Sequence, residues 1–157
     1  MKRKVCILGT YHDYQYLVRR EGYRSLLKSL IRLHSVDLVA EEANDSNIFF
    51  AREVADECAF ELKREISWEN IDLRREVQGE PQDTNTLQIE PFIDAELQTK
   101  REWAWVENVS REMKSSALLI CGCAHTFSVS EKFRWAGFDT ETQIYFDPQD
   151  AKSIRNG

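Results

Sequence analysis

The sequence predicts a single-domain α/β protein with a mostly parallel central sheet of about five strands and helices on both faces. Short apolar runs alternate with longer segments whose apolar residues recur at helical spacing, in the order β-α-β-α-β-loop-α-β-α-β. Runs that are apolar at nearly every position are typical of strands buried on both faces, as in a parallel sheet. Regular alternation of strands and helices favours the same architecture.

The first half of the chain contains three predicted strands and two predicted helices. Residues 4–9 form an apolar run that ends in glycine, and residues 14–34 place apolar side chains along one side of an amphipathic helix. Residues 36–42 form a second apolar run, which ends in two glutamates. Residues 47–65 have helical periodicity, and residues 66–73 predict a third strand.

The second half begins with the only stretch of loop character. Residues 74–90 contain glycine, proline, aspartate and asparagine without an apolar period, and loops of this length in compact domains are usually functional or mobile. A long helix is predicted from residue 91 to about 114, with proline in its first turn. The apolar run 116–123 predicts a strand, residues 125–137 a short helix closed by glycine, and residues 142–148 a final strand.

Composition favours one soluble domain over residues 1–148, followed by a C-terminal tail over residues 149–157. Of the 157 residues, 42% are hydrophobic and 31% are charged, which is typical of a globular protein. The formal net charge of −6 argues against general binding to nucleic acid or to anionic membranes.

A cytoplasmic location is expected from the cysteines and from the absence of a long apolar run. No stretch approaches the roughly 18 apolar residues of a membrane span, and the apolar run after the basic start is too short for a signal peptide. The four cysteines lack the spacing of a zinc ribbon or a CxxC motif. They are therefore expected to be reduced thiols, mostly buried.

Polar residues that can carry chemistry follow the predicted strands. The first strand is followed by GTYH (residues 9–12) and Asp13, and the fourth by GCAH (residues 122–125). Glu41 and Glu42 end the second strand. Because the carboxyl ends of parallel strands meet at one edge of a sheet, these side chains are expected to lie close together. His34 precedes the second strand and is expected at the opposite edge.

Imidazole and carboxylate groups from separate strands are a suitable ligand set for a divalent metal ion. Each GxxH motif alone is a common turn before a helix, but two at equivalent places predict a shared site. Glu41 and Glu42 point to opposite faces of their strand, so at most one reaches the centre of that site, and both could instead be solvated loop residues. Arg101 lies on a largely apolar helix face, where arginine pairs with a carboxylate, binds an anion or extends to solvent.

Together these motifs resemble the TraB/Tiki group, which is related to the erythromycin-esterase-like and ChaN-like proteins. The resemblance is carried by the two GxxH motifs, by the acidic pair Glu41-Glu42 and by Arg101 on the helix before the late strand. Residues 101–137 are the most similar part. The chain departs from ChaN-like relatives at Glu102, where an asparagine is expected.

The resemblance implies a compact α/β fold with a site at the strand ends. Tiki-type members are regarded as metal-dependent proteases, and erythromycin-esterase-like members as hydrolases that use histidine and glutamate. The resemblance carries over His12, Glu41, Glu42 and His125 as candidate metal or catalytic residues. It also carries over Arg101 as a partner of the substrate or of a carboxylate.

We therefore expect a metal-dependent hydrolase that acts on a small-molecule or peptide substrate. His12, Glu42 and His125 would hold a divalent Mn, Zn, Co or Fe ion, which would lower the pKa of a bound water towards neutrality. The remaining glutamate, Glu41, or Asp13 would act as the general base.

In this hypothesis Arg101 would neutralise a substrate carboxylate, a phosphate or a developing oxyanion. Two alternatives are open. One is a metal-free esterase in which His12 or His125 activates water and a glutamate orients it. The other is a non-catalytic sensor or small-ligand-binding module that uses the same pocket. The sequence is compatible with a homo-oligomer, and it lacks the GxGxxG and GxSxG motifs of dinucleotide-binding proteins and serine hydrolases.

Overall fold

The computed structural model describes residues 2–11, 15, 21–43, 49–72 and 91–146. This part of the chain forms five strands and four helices in the predicted order. The strands are β1 (Lys4–Thr10), β2 (Leu38–Glu41), β3 (Ser67–Asn70), β4 (Ser116–Gly122) and β5 (Asp139–Ile144). The helices are α1 (Glu21–Leu33), α2 (Phe50–Leu62), α3 (Pro91–Glu112) and α4 (Thr126–Trp135), with a 3-10 turn at Cys123–His125 just before α4.

All five strands are parallel and form one sheet in the order β3-β2-β4-β1-β5, which confirms the predicted α/β class. Strand β4 lies at the centre. It pairs with β1 from Lys4↔Ser116 to Thr10↔Gly122 and with β2 from Leu38↔Ala117 to Glu41↔Ile120. Every residue of β4 is buried, as its continuous apolar run predicts.

The core consists of two layers, one on each face of the sheet. On the first face α1 and α2 pack against alternate strand residues such as Leu8, Val39 and Ile120. On the second face α3 and α4 pack against the intervening residues, such as Ile7 and Ala40. Because successive residues of a strand point to opposite faces, each strand contributes side chains to both layers. Helices cover both faces of the sheet, as predicted.

This distribution of helices produces a topological switch point at the carboxyl end of β4, the position at which open α/β sheets have a crevice. Strands β1 and β2 are each followed by a helix on the first face, whereas β4, which lies between them, is followed by α4 on the second face. The chain therefore leaves neighbouring strands in opposite directions. Ligands of open α/β sheets bind in crevices of this kind, so a functional site is expected at this edge of the sheet.

Gly9 is required by the close approach of α4 to β1. A β-carbon placed at Gly9 would lie 2.1 Å from Thr126 Oγ1 and 3.2 Å from Thr126 Cβ. Gly9 is paired within β1 and is not the residue at which the chain turns, so the predicted strand end was one residue short. The glycine allows the first turn of α4 to sit directly against the strand.

The bounds of the third and fifth predicted strands differ most from those in the structure. The third covers only Ser67–Asn70, and the fifth is Asp139–Ile144 instead of residues 142–148. β5 is an exposed, mostly polar edge strand. Packing against α1 begins just after the strand ends, where the ring of Tyr145 lies tilted against that of Tyr23, with centroids 5.5 Å apart. Gly137, with a φ of +97°, closes α4 as predicted.

Several predicted features lie outside the described residues. These include the start of the first helix, the loop over residues 74–90 and the tail over residues 149–157. His12 and Asp13 also lie outside them. Among the helices that the structure describes, none has the length and apolar character needed to cross a membrane.

Candidate functional site

Glu41, the last residue of β2, and Glu42, which follows it, lie on opposite sides of the sheet. Glu41 lies on the side of α1 and α2, where its carboxylate accepts hydrogen bonds from Trp68 Nε1 at 2.8 Å and from Gln15 Nε2 at 2.9 Å. Glu42 lies on the side of α3 and α4. Alternation along the strand separates the two carboxylates, and only Glu42 faces His125.

Glu41 is fully buried, and this burial makes its carboxyl group a weaker acid. Burial raises the pKa of Glu41 to about 7, although the hydrogen bonds from Gln15 and Trp68 act in the opposite direction. Gln15 Nε2 also donates to the main-chain oxygen of Glu42 at 3.0 Å. Glu41 therefore belongs to a buried polar cluster on the far side of the sheet from His125.

Both carboxylate oxygens of Glu42 are engaged by the protein. Oε1 accepts the backbone N–H of Gly122 at 2.9 Å, which joins the ends of β2 and β4. Oε2 accepts from Arg101 Nη2 at 2.7 Å. The side chain is 3% exposed, so Glu42 is a fixed negative charge at the crevice.

Arg101 is buried and links α3 to the ends of β2 and β3. Its guanidinium donates to Glu42, to both carboxylate oxygens of Asp72 at 3.3 and 2.9 Å, and to Gln98 Oε1 at 2.6 Å. Burial would lower the pKa of Arg101, but Asp72 and Glu42 outweigh it and raise that pKa. With 1% exposure and these partners, Arg101 is a carboxylate partner within the protein.

Asp72, two residues beyond β3, completes this network. Besides the two bonds from Arg101, its Oδ1 accepts a hydrogen bond from Trp105 Nε1 at 3.1 Å. Its backbone N–H donates to Asn70 Oδ1 at 2.9 Å. Although Asp72 is visible in the sequence at the end of the third strand, its pairing with Arg101 depends on how α3 lies across the sheet.

His125 lies at the end of the 3-10 turn that follows β4, with each ring nitrogen near a carboxylate. Nδ1 is 2.7 Å from Glu102 Oε2, and Nε2 is 3.8 Å from Glu42 Oε2. Trp105 packs edge-on against the imidazole, with ring centroids 4.9 Å apart. The side chain is 11% exposed, so most of the imidazole is buried and these contacts fix its orientation.

Glu102 is the residue of this site that sequence reasoning missed. Its Oε1 accepts from Ser128 Oγ at 2.5 Å and from Lys132 Nζ at 2.8 Å, and its Oε2 contacts His125. Burial would raise the pKa of Glu102, but the bonds from His125, Lys132 and Ser128 prevail and lower it. A signal was available, because Glu102 lies at helical spacing from Val106 and Val109, on the core-facing side of α3.

An ionised Glu102 determines the tautomer of His125. A carboxylate can only accept, so the 2.7 Å contact requires the proton of the neutral imidazole to be on Nδ1. The lone pair is then on Nε2, which faces the crevice and Glu42. This arrangement can act as a base, as a hydrogen-bond acceptor or as a ligand.

The described residues do not by themselves form a metal site. Within residues 2–11, 15, 21–43, 49–72 and 91–146, no group of three or more His, Cys, Asp or Glu side chains could hold an ion. Both oxygens of Glu42 are already occupied, one of them by a guanidinium, which disfavours a second cation there. The predicted ligand His12 lies outside the described residues.

The cysteines near the site are not activated. All four are free, and Cys6, Cys58 and Cys121 are buried, as expected from the sequence. Burial raises the pKa of Cys121 and of Cys123, so both remain thiols at neutral pH. Neither provides a thiolate nucleophile at neutral pH.

When the chain is compared with protein families, with curated proteins and with solved structures, none of them matches. The similarity to the TraB/Tiki group therefore depends on the short motifs alone.

Proposed function

We propose that this protein hydrolyses carboxylic esters or amides, and that His125 is the general base that activates water. The observation that carries the proposal is the 2.7 Å contact between His125 Nδ1 and Glu102 Oε2. It fixes the ring orientation and leaves the basic Nε2 at the carboxyl edge of the sheet. A carboxylate behind an imidazole has this orienting role in many hydrolytic sites.

In the proposed reaction, Nε2 removes a proton from water as the water oxygen adds to the substrate carbonyl carbon. The imidazolium that forms is stabilised by Glu102, whose negative charge is 2.7 Å away. Collapse of the tetrahedral intermediate breaks the bond to the leaving group, and the imidazolium returns the proton to that group.

Glu42 has the proposed role of positioning the water. Its Oε2 is 3.8 Å from His125 Nε2, a separation that one water can bridge by donating a hydrogen bond to each. Arg101 and Gly122 hold that carboxylate in place. Asp72 in turn fixes Arg101, so the positions of these groups are set before substrate binds.

This proposal is the metal-free form of the expected hydrolase. The metal-dependent form needs a ligand such as His12 in addition to His125 and Glu42, and the described residues alone do not provide a complete set. The presence or absence of metal dependence distinguishes the two forms directly.

The test is hydrolysis of a panel of activated esters and amides by the wild-type protein, by His125→Gln and by His34→Gln. His34 is a matched control, because it also lies 3.2 Å from a glutamate but precedes β2, at the other edge of the sheet. We expect kcat to fall by about 10²-fold or more in His125→Gln and to be unchanged in His34→Gln. No activity in the wild type, or equal activity in all three folded proteins, would favour a non-catalytic binding module.

A further inference from the structure

The charges of the described residues around His125 sum to a negative value before any substrate binds. Among these residues, the ionisable groups in the network of ion pairs and hydrogen bonds that extends from His125 are three carboxylates and two cations. With a neutral imidazole the cluster therefore carries one net negative charge, and a protonated imidazole brings it to zero. These groups are Glu42, Asp72, Glu102, Arg101 and Lys132.

Neither cation is available to an external anion. Arg101 is 1% exposed and donates to Glu42, Asp72 and Gln98. Lys132 Nζ donates to Glu102 at 2.8 Å and to Ser128 at 3.0 Å, and its side chain is 14% exposed. To bind either of these two cations, an anionic group would have to displace an internal carboxylate, at a large desolvation cost.

The side of the crevice next to the reactive nitrogen is also negative. Glu42 Oε2 lies 3.8 Å from His125 Nε2, and the Glu42 side chain is 3% exposed. A charge buried to this degree is poorly screened by salt, so it acts strongly on a substrate placed against Nε2. It repels a carboxylate or phosphate and attracts a cation.

We infer that the substrate carries an uncharged or positively charged group next to the reacting carbonyl, and that phosphate and carboxylate compounds are excluded. This inference depends on the proposed function and specifies its substrate class. It assigns Arg101 to the protein's own carboxylates, and not to the anionic substrate group considered from the sequence.

The first test is a set of p-nitrophenyl esters that share one leaving group and differ in acyl charge. The neutral member is the butyrate, the cationic member the 4-trimethylammoniobutyrate and the anionic member the hemisuccinate. We expect kcat/KM for the anionic ester to be at least tenfold below that of the neutral ester, with the cationic ester equal to or above the neutral one. An anionic ester that is hydrolysed as well as the neutral ester would overturn the inference.

Two further measurements identify the cause of the discrimination. Glu42→Gln removes the negative charge beside Nε2 and should reduce the preference among the three esters to less than threefold. If Glu42→Gln does not fold, the wild-type protein is assayed from low to high ionic strength, where the disadvantage of the anionic ester should persist, because a buried charge is poorly screened. A preference that is unchanged in Glu42→Gln, or that disappears at high salt in the wild type, contradicts an origin in the buried charge of Glu42.

A second readout separates failure of this inference from failure of the proposed function. The rate at which diethyl pyrocarbonate modifies His125 can be followed by mass spectrometry, with no catalysis required. Tetramethylammonium should protect His125 more than inorganic phosphate does at equal concentration and ionic strength. Equal protection, including none by either ion, or stronger protection by phosphate would overturn the inference even if ester hydrolysis is observed.

Discussion

Glu102 on α3 and His125 before α4 are joined by a 2.7 Å contact between Oε2 and Nδ1, at a separation of 23 residues in sequence. The pair connects the second-face helices to the crevice at the end of β4. Glu102 is also held by Ser128 and Lys132, so its orientation does not depend on His125. The carboxylate is therefore preorganised, and the imidazole adopts the orientation and tautomer that this carboxylate requires.

Glu102→Gln should lower kcat while leaving KM nearly unchanged. The amide keeps the size of the side chain but removes the negative charge that stabilises the imidazolium, and it no longer enforces one tautomer. We expect a loss of about 10²-fold or more in kcat, measured on the best ester of the panel.

Glu107→Gln is the matched control for this measurement, because Glu107 is an exposed carboxylate on the same helix. It should keep the wild-type rate. If Glu102→Gln is folded and as active as Glu107→Gln at neutral pH, Glu102 has no role in orienting the base.

Arg101→Met should destabilise the protein by about 3–5 kcal/mol. The substitution leaves Glu42 and Asp72 buried, at 3% and 0% side-chain exposure, without their shared cation. The free energy of unfolding from urea titration is the measurement. Arg111→Met, at a side chain that is 66% exposed on the same helix, should change it by less than about 0.5 kcal/mol. Similar values for both variants would show that the buried network contributes little to stability.

Gly9→Ala should cost about 1–3 kcal/mol, because the new methyl group would overlap Thr126 Oγ1. A β-carbon at Gly9 lies 2.1 Å from that oxygen. Thr126→Ala removes the oxygen, so the double variant should be less destabilised than the sum of the two single variants. Strict additivity in a double-mutant cycle of unfolding free energies would mean that α4 moves away from β1 without strain.

Glu41 should make the protein less stable as pH rises. Its folded-state pKa of about 7 is above the ordinary value of 4.5, so the folded state binds the proton more tightly than the unfolded state does. The stabilising contribution is complete below pH 4.5 and is lost as pH rises to 7, by about 3 kcal/mol in total.

The variant Glu41→Gln isolates this effect, because a neutral amide can still accept from Trp68 and other titrating groups cancel in the comparison. The difference in unfolding free energy between wild type and variant, measured from pH 4 to pH 8, should shift steadily against the wild type. A difference that is independent of pH would place the pKa of Glu41 near its ordinary value.

The fold could be predicted because the signals for it are local. The apolar run of β4 and the helical spacing of Leu27, Leu30 and Ile31 each reflect the burial of a single element within the sheet or against it. β5 was misplaced because its residues are mostly exposed and polar, and an edge strand without an apolar face has no periodicity to detect.

The site was predicted less completely, because its contacts are between elements. Glu42 and His125 follow the carboxyl ends of two neighbouring parallel strands, β2 and β4. The topology of the sheet therefore places them near the same edge. The pairs Glu102 with His125 and Arg101 with Asp72 depend on the angle and rotation of α3 against α4 and the sheet. The spacing of residues within one segment does not determine the angle or the rotation of α3.

The most direct test of a metal-independent His125 base is hydrolysis of the best ester by protein dialysed against a strong chelator. We expect the dialysed wild-type protein to keep its full rate, added Zn²⁺, Mn²⁺, Co²⁺ or Fe²⁺ to produce no increase, and dialysed His125→Gln to lose about 10²-fold or more. A wild-type rate that is lost on dialysis and restored by one of these ions would contradict this account and support the metal-dependent hydrolase expected from the sequence.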